Sequence, residues 1–149
     1  MSNLQFKARA KSYEDVLRFV SGKRSRPLAY ATTAHLTRGG MAAVRHHETV
    51  IAAFMREPRV LAGRDMPVIA MLRTGGWDSA TTSQRLHRMI PDCAPVGLSI
   101  GITGGRTVVR YEGYETPFDT LVFGADGQVV ACDGSRSLRI SHATNGGGE

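Results

Sequence analysis

Among its 149 residues the chain has two cysteines and one tryptophan. Cys93 and Cys132 stand far apart and neither belongs to a C-x-x-C pair, which excludes a disulfide framework and a cysteine zinc site of ordinary spacing. Both read as reduced thiols. No window approaches the ~18 consecutive apolar residues of a spanning helix, so no membrane partner is expected. The first seven residues, Met1 to Lys7, lack the apolar segment of a signal peptide. Three catalytic signatures are also missing. Without G-x-x-x-x-G-K-[ST] there is no P-loop, without G-x-S-x-G no nucleophile elbow, and without H-E-x-x-H no zincin helix. Neither a cofactor nor a metal is expected.

What remains is a chain of one-domain length, 42% hydrophobic and 21% charged, which is globular rather than disordered. Its net charge of +6 is unevenly spread. Residues 1–45 carry nine Lys/Arg against only Glu14 and Asp15, and the rest carries ten arginines against eleven acids. A basic first third suits an acidic partner: nucleic acid, a nucleotide or an acidic protein surface. A solubilising arm is the plainer alternative.

Ser12 is positioned to cap a helix near 12–21. Tyr13, Val16, Leu17 and Val20 share its apolar face, and Gly22 ends it. Residues 23–27, Lys-Arg-Ser-Arg-Pro, read as a basic linker. Residues 28–36 read as a strand, 38–40 as a turn, 41–54 as containing a strand at Thr49-Val50-Ile51, 55–66 as a loop, and 67–73 as a compact strand. Asp78 or Ser79 caps a second helix near 79–90, which Pro91 stops. Val96 to Ile102 alternates, Gly104-Gly105 turns, and 106–111 returns. Residues 120–123 and 128–131 flank Asp126-Gly127, a hairpin signal. The expected class is α+β: a mostly antiparallel sheet with an N-terminal helix and one short helix inserted mid-sheet. The expected organisation is a basic arm and helix at 1–27, one domain at 28–140, and a disordered tail at 141–149.

The segment 74–88 holds the most chemistry. On a helix Thr81, Arg85 and Arg88 share one face, while Leu86, Met89 and Ile90 face the core. Backbone N–H groups at the helix start, beside Gly75, Gly76 and the hydroxyls of Ser79, Thr81 and Thr82, would suit an anion. Trp77 could stack a base or plug the core. In Arg45-His46-His47-Glu48-Thr49, a strand puts His46 and Glu48 on one side and Arg45, His47 and Thr49 on the other. His47 is the acid/base candidate if the protein is an enzyme. A metal would need a third ligand, for which only His35 and His87 are available.

Four stretches together resemble a group of small uncharacterised proteins encoded in tailed-bacteriophage genomes. They are Ala31-Thr32-Thr33-Ala34-His35-Leu36, His47-Glu48-Thr49-Val50, the Gly75-Gly76-Trp77-Asp78-Ser79-Ala80-Thr81-Thr82-Ser83-Gln84-Arg85-Leu86 turn and helix, and Phe123-Gly124-Ala125-Asp126-Gly127. Ser79 departs from the usual Thr, His87 from the usual Asn, and the 55–66 segment is longer than usual. The resemblance implies phage origin and action in the infected host's cytoplasm; it implies no activity.

The leading expectation is therefore a binder of nucleic acid or another phosphate-bearing ligand. Its surface would comprise Arg45, His47, Thr49, Trp77, Thr81, Thr82, Arg85 and Arg88, with the basic residues 7–26 adding salt-sensitive affinity. The alternatives are a metal-independent nuclease or phosphotransfer enzyme using His47, with Arg85 on the phosphate, and an inhibitor that binds a host protein.

Overall fold

The computed structural model describes residues 5–61 and 65–142. Its first helix, α1 (Tyr13–Val20), begins where Ser12 accepts a hydrogen bond from the Asp15 N–H and ends at Ser21, which takes the left-handed conformation. The buried face is Val16, Phe19 and Val20. Leu17, expected on that face, is 46% exposed.

Five strands follow in sequence: β1 (Ser25–Ala29), β2 (Thr32–Leu36), β3 (Met41–His46), β4 (Thr49–Val60) and β5 (Pro67–Arg73). Next come α2 (Ala80–Arg88) and β6 (Ser99–Thr103), β7 (Arg106–Tyr111) and β8 (Tyr114–Pro117). The described chain closes with β9 (Thr120–Gly124), β10 (Val129–Asp133) and β11 (Arg136–Ser141). All described strand pairs are antiparallel. One eight-stranded sheet runs β1-β2-β3-β4-β5-β9-β10-β11, and β6-β7-β8 form a second sheet. The fold is α+β, with α2 lying between the two sheets in sequence. No described helix is long and apolar enough to cross a membrane.

Several local expectations change. The supposed linker at 23–27 runs into β1, whose Arg26 and Pro27 pair with Ala34 and Thr33. The boundary expected at residue 27 therefore falls inside a strand. Pro27 is tolerated because β1 is an edge. The supposed loop at 55–66 is strand as far as Val60, and its pairing with β5 is irregular between Phe54 and Arg59; residues 62–64 lie outside the described residues. Val96 is 98% exposed and precedes β6. The tail expected from 141 starts at the last residue of β11, and its remainder from 143 lies outside the described residues.

The core is continuous across these elements. Val16, Phe19 and Val20 of α1, Leu28, Ala34, Ala42, Ala52 and Leu72 of the large sheet, Leu86 of α2 and Ile100 and Val109 of the small sheet belong to one buried cluster. Alanines at 34, 42 and 52 lie in the strands that α1 crosses, and small side chains there let a helix approach closely. Because the sheet meanders, the β1–β2 turn, the β3–β4 turn and the segment after β5 gather at one end of it.

Candidate functional site

That sheet end collects most of the residues singled out in the sequence, although not as one strand would arrange them. β3 ends at His46 and β4 begins at Thr49, so His47 and Glu48 form the turn between them. The single-strand alternation expected for residues 45–49 is thereby broken. His47 takes φ 52°, a left-handed conformation that histidine tolerates better than most side chains. Its N–H donates to the Ala31 carbonyl at 2.8 Å, which joins the β3–β4 turn to the β1–β2 turn.

The adjoining turn carries Trp77. Gly75 and Gly76 have φ of 62° and 86°, and the Trp77 N–H closes the turn on the Thr74 carbonyl at 3.0 Å. Gly75 also lies so close to Thr49 that a Cβ there would collide with its methyl. The indole is 47% exposed and its ring centroid lies 5.9 Å from that of His47, which stands 4.3 Å from His46. Trp77 is thus the outer member of a row of three rings, rather than a core plug.

Asp78 is engaged with β7. Its carboxylate accepts from the Thr107 N–H at 2.9 Å and lies 3.8 Å from Arg106. Burial works to raise its pKa, but the Thr107 hydrogen bond and the Arg106 charge hold it below the usual carboxylate range. The helix cap is Ser79, whose hydroxyl accepts from the Thr82 N–H.

On α2 the face expected to meet a ligand turns inward. Arg85 is 2% exposed, among the largest fully buried side chains, and Thr82 is also buried. Thr82 is occupied with the cap, its Oγ1 3.1 Å from Ser79 Oγ. Thr81 is half-buried and only Arg88 is freely exposed. The period placed Arg85 opposite Leu86, but α2 has the small sheet on one side and the end of the large sheet near the other. The Arg85 guanidinium reaches His46, with Nη1 3.5 Å from Nδ1. Thr32 Oγ1 lies 3.0 Å from the same ring nitrogen. Burial, the Arg85 charge and neighbouring His47 push the His46 pKa down, against an opposing hydrogen bond to Ala31. Together these neighbours favour the neutral ring. Arg85 and His46 position the turns from beneath and do not face solvent.

The open face belongs to β1, β2 and β3. Ser25 pairs with His35 and Thr33 with Arg45, and directly paired residues project to the same side. Arg24, Ser25, Thr33, His35, Arg45 and His47 line one shallow depression of about 380 Å³. Among the described residues no carboxylate lines it. Glu48 projects from the turn beside it and is exposed. Burial, followed by the Arg45 charge, lowers the His35 pKa.

Arg45, His47, Thr49 and Trp77, singled out in the sequence, gather near this sheet end, but the sequence did not show that Arg24, Ser25, Thr33 and His35 would join Arg45 and His47. The available signal was the two-residue spacing of Thr33 and His35. It becomes readable only once residues 25–29 are taken as a strand, a reading Pro27 discouraged. A larger cavity of about 560 Å³ opens beside the β7–β8 hairpin and β11. Its walls include Tyr111, Leu138 and Ile140, with Glu112 and Glu115 as well as Arg139 and His142, a lining of mixed charge. Among the described residues no three His, Cys, Asp or Glu side chains converge as a metal set would.

No family model, no curated protein and no solved structure matches the chain.

Proposed function

We propose that the protein binds nucleic acid through its phosphate backbone, on the open face of β1–β3. The carrying observation is the single depression lined by two arginines, two histidines and two hydroxyls, with no acid among them. Arginines, serines and threonines are the side chains that contact phosphate in such interfaces, and they fix a backbone without reading its bases. Arg24 and Arg45 supply the permanent charge. Ser25 and Thr33 donate hydrogen bonds, and His35 and His47 donate through ring N–H groups. Of the other cations of the first third, Arg9 and Arg18 are drawn to Asp15 and Asp92 instead. Of the residues proposed from sequence, Arg45, His47 and Trp77 belong to this surface, and Thr49 holds the Trp77 turn. Arg85 and Thr82 support it from inside, while Thr81 and Arg88 lie on the neighbouring helix. Action in the cytoplasm of a phage-infected cell is the setting implied by the motif resemblance.

The test is a titration of a labelled oligonucleotide at several salt concentrations. Affinity should fall linearly on logarithmic axes, and Arg24→Ala or Arg45→Ala should each flatten the slope by about 0.7 to 0.9. An oligonucleotide that fails to bind at low salt, or slopes unchanged in both variants, would refute the proposal.

A further inference from the structure

We infer that the nucleic acid this face accepts is single-stranded, with an unpaired base stacked on Trp77. This rests on the phosphate-binding reading above and specifies its substrate.

An exposed tryptophan by itself means little, since scattered apolar side chains are normal on surfaces. Here the ring stands at the end of a cationic track. His47 belongs to both features: it lines the cationic depression and lies 5.9 Å from the Trp77 ring. The track's length follows from strand geometry. His35 pairs with Ser25 near one end, and at the other the Ala31 carbonyl holds the His47 N–H. Four residues of strand at ~3.3 Å each make the track about 13 Å long. A strand lying along it has its next base beside the indole.

The local backbone favours a projecting ring. Two successive positive-φ glycines reverse the chain immediately before Trp77. The contact of Gly75 with Thr49 fixes that reversal against the β3–β4 hairpin. His46 and His47 back the indole, the inner ring being held by Thr32 and Arg85. The ring is therefore supported from one side, with nearly half its surface open.

Duplex geometry does not use such a platform. In a double helix the base faces are stacked against one another and only edges and phosphates are presented. A ring beside a phosphate track reaches a base face only where that base is unpaired. Aromatic stacking with a basic groove is the general means of holding single strands without sequence preference. The chemistry is shared by DNA and RNA, so the probes must separate them.

The single tryptophan makes its own reporter. Full-length protein would be titrated with a short oligothymidylate, an oligouridylate of equal length, a DNA duplex, and an abasic oligonucleotide carrying the same phosphates. Trp77 fluorescence and the anisotropy of a label on the nucleic acid would both be read. Either or both of the single strands should quench Trp77 and bind about tenfold or more tightly than the abasic strand and the duplex. Where only one does so, that one identifies the natural source; where both do, the site holds either sugar. Trp77→Phe should keep most of the preference over the abasic strand, and Trp77→Ala should abolish it. Equal affinity for base-bearing and abasic strands, with the arginine-dependent salt slope intact, overturns the stacking inference and leaves phosphate binding standing. Duplex preferred over either single strand also overturns it. Failure of every probe to bind at low salt overturns both.

Discussion

Gly75 meets the methyl group of Thr49 so closely that no side chain fits between them. The glycine also has a φ of 62°, which costs an ordinary residue ~1–2 kcal/mol. Two separate penalties thus fall on one substitution. Gly75→Ala should destabilise the fold by about 2–4 kcal/mol, combining backbone strain with overpacking. Thr49→Ser removes the obstructing methyl. In the double variant the clash disappears and only the backbone strain remains, so the two changes should couple favourably by at least ~1 kcal/mol in urea unfolding. Strict additivity would mean that the turn and hairpin do not press on each other.

Much of the fold was readable because its signals are local. Ser12 and Ser79 cap their helices by side chain, and Gly104-Gly105 and Asp126-Gly127 turn where turn chemistry puts them. Pro67 to Arg73 buries Val68, Ala70 and Leu72 in alternation. The misreadings share a different cause, because they depend on neighbours distant in sequence. Leu17 and Phe19 exchange roles according to which side of α1 meets the sheet. Pro27 looks like a terminator until an edge position leaves its missing N–H without consequence. Arg85 looks like a surface cation on a helical wheel, yet it is buried because a second layer covers that side of α2. The Arg45 to Thr49 stretch could not show its turn, since no glycine or asparagine marks it and histidine occupies the left-handed position.

The first 26 residues should prove inseparable from the domain. Val16 and Val20 are fully buried, Phe19 nearly so, and the Lys7 N–H donates to the Leu28 carbonyl at 2.9 Å. Burial of each such apolar side chain stabilises by ~1.5–3 kcal/mol, so losing three approaches the whole stability of a typical domain. Deleting residues 1–26 should abolish cooperative unfolding, as followed by circular dichroism. Phe19→Ala should cost about 3 kcal/mol, whereas Leu17→Ala, half exposed, should cost under ~1 kcal/mol. A truncated chain that still melts cooperatively near the full-length temperature would show that α1 is an appendage after all.

His46 should make stability depend on pH in a defined direction. Burial, Arg85 and His47 depress its pKa in the folded protein, while in the unfolded chain it returns to about 6.5. Between those two values the unfolded state binds more protons, so stability rises with pH there. The contribution is complete above about pH 6.5 and is lost as pH falls through the folded value. His35, lowered by burial and then by Arg45, acts in the same direction. Urea midpoints measured from about pH 8 to about pH 5 should therefore decline on the acid side. His46→Gln keeps hydrogen-bonding capacity without a titrating ring, and it should flatten the decline. Arg85→Met keeps much of the volume while removing the charge beside His46, and it should shift the His46 titration, followed by NMR, upward. Arg85→Ala leaves a cavity instead and should cost ~2–4 kcal/mol. If Arg85→Met leaves the His46 titration in place, the guanidinium is not what keeps that ring neutral. The support proposed beneath the Trp77 platform would then be packing alone.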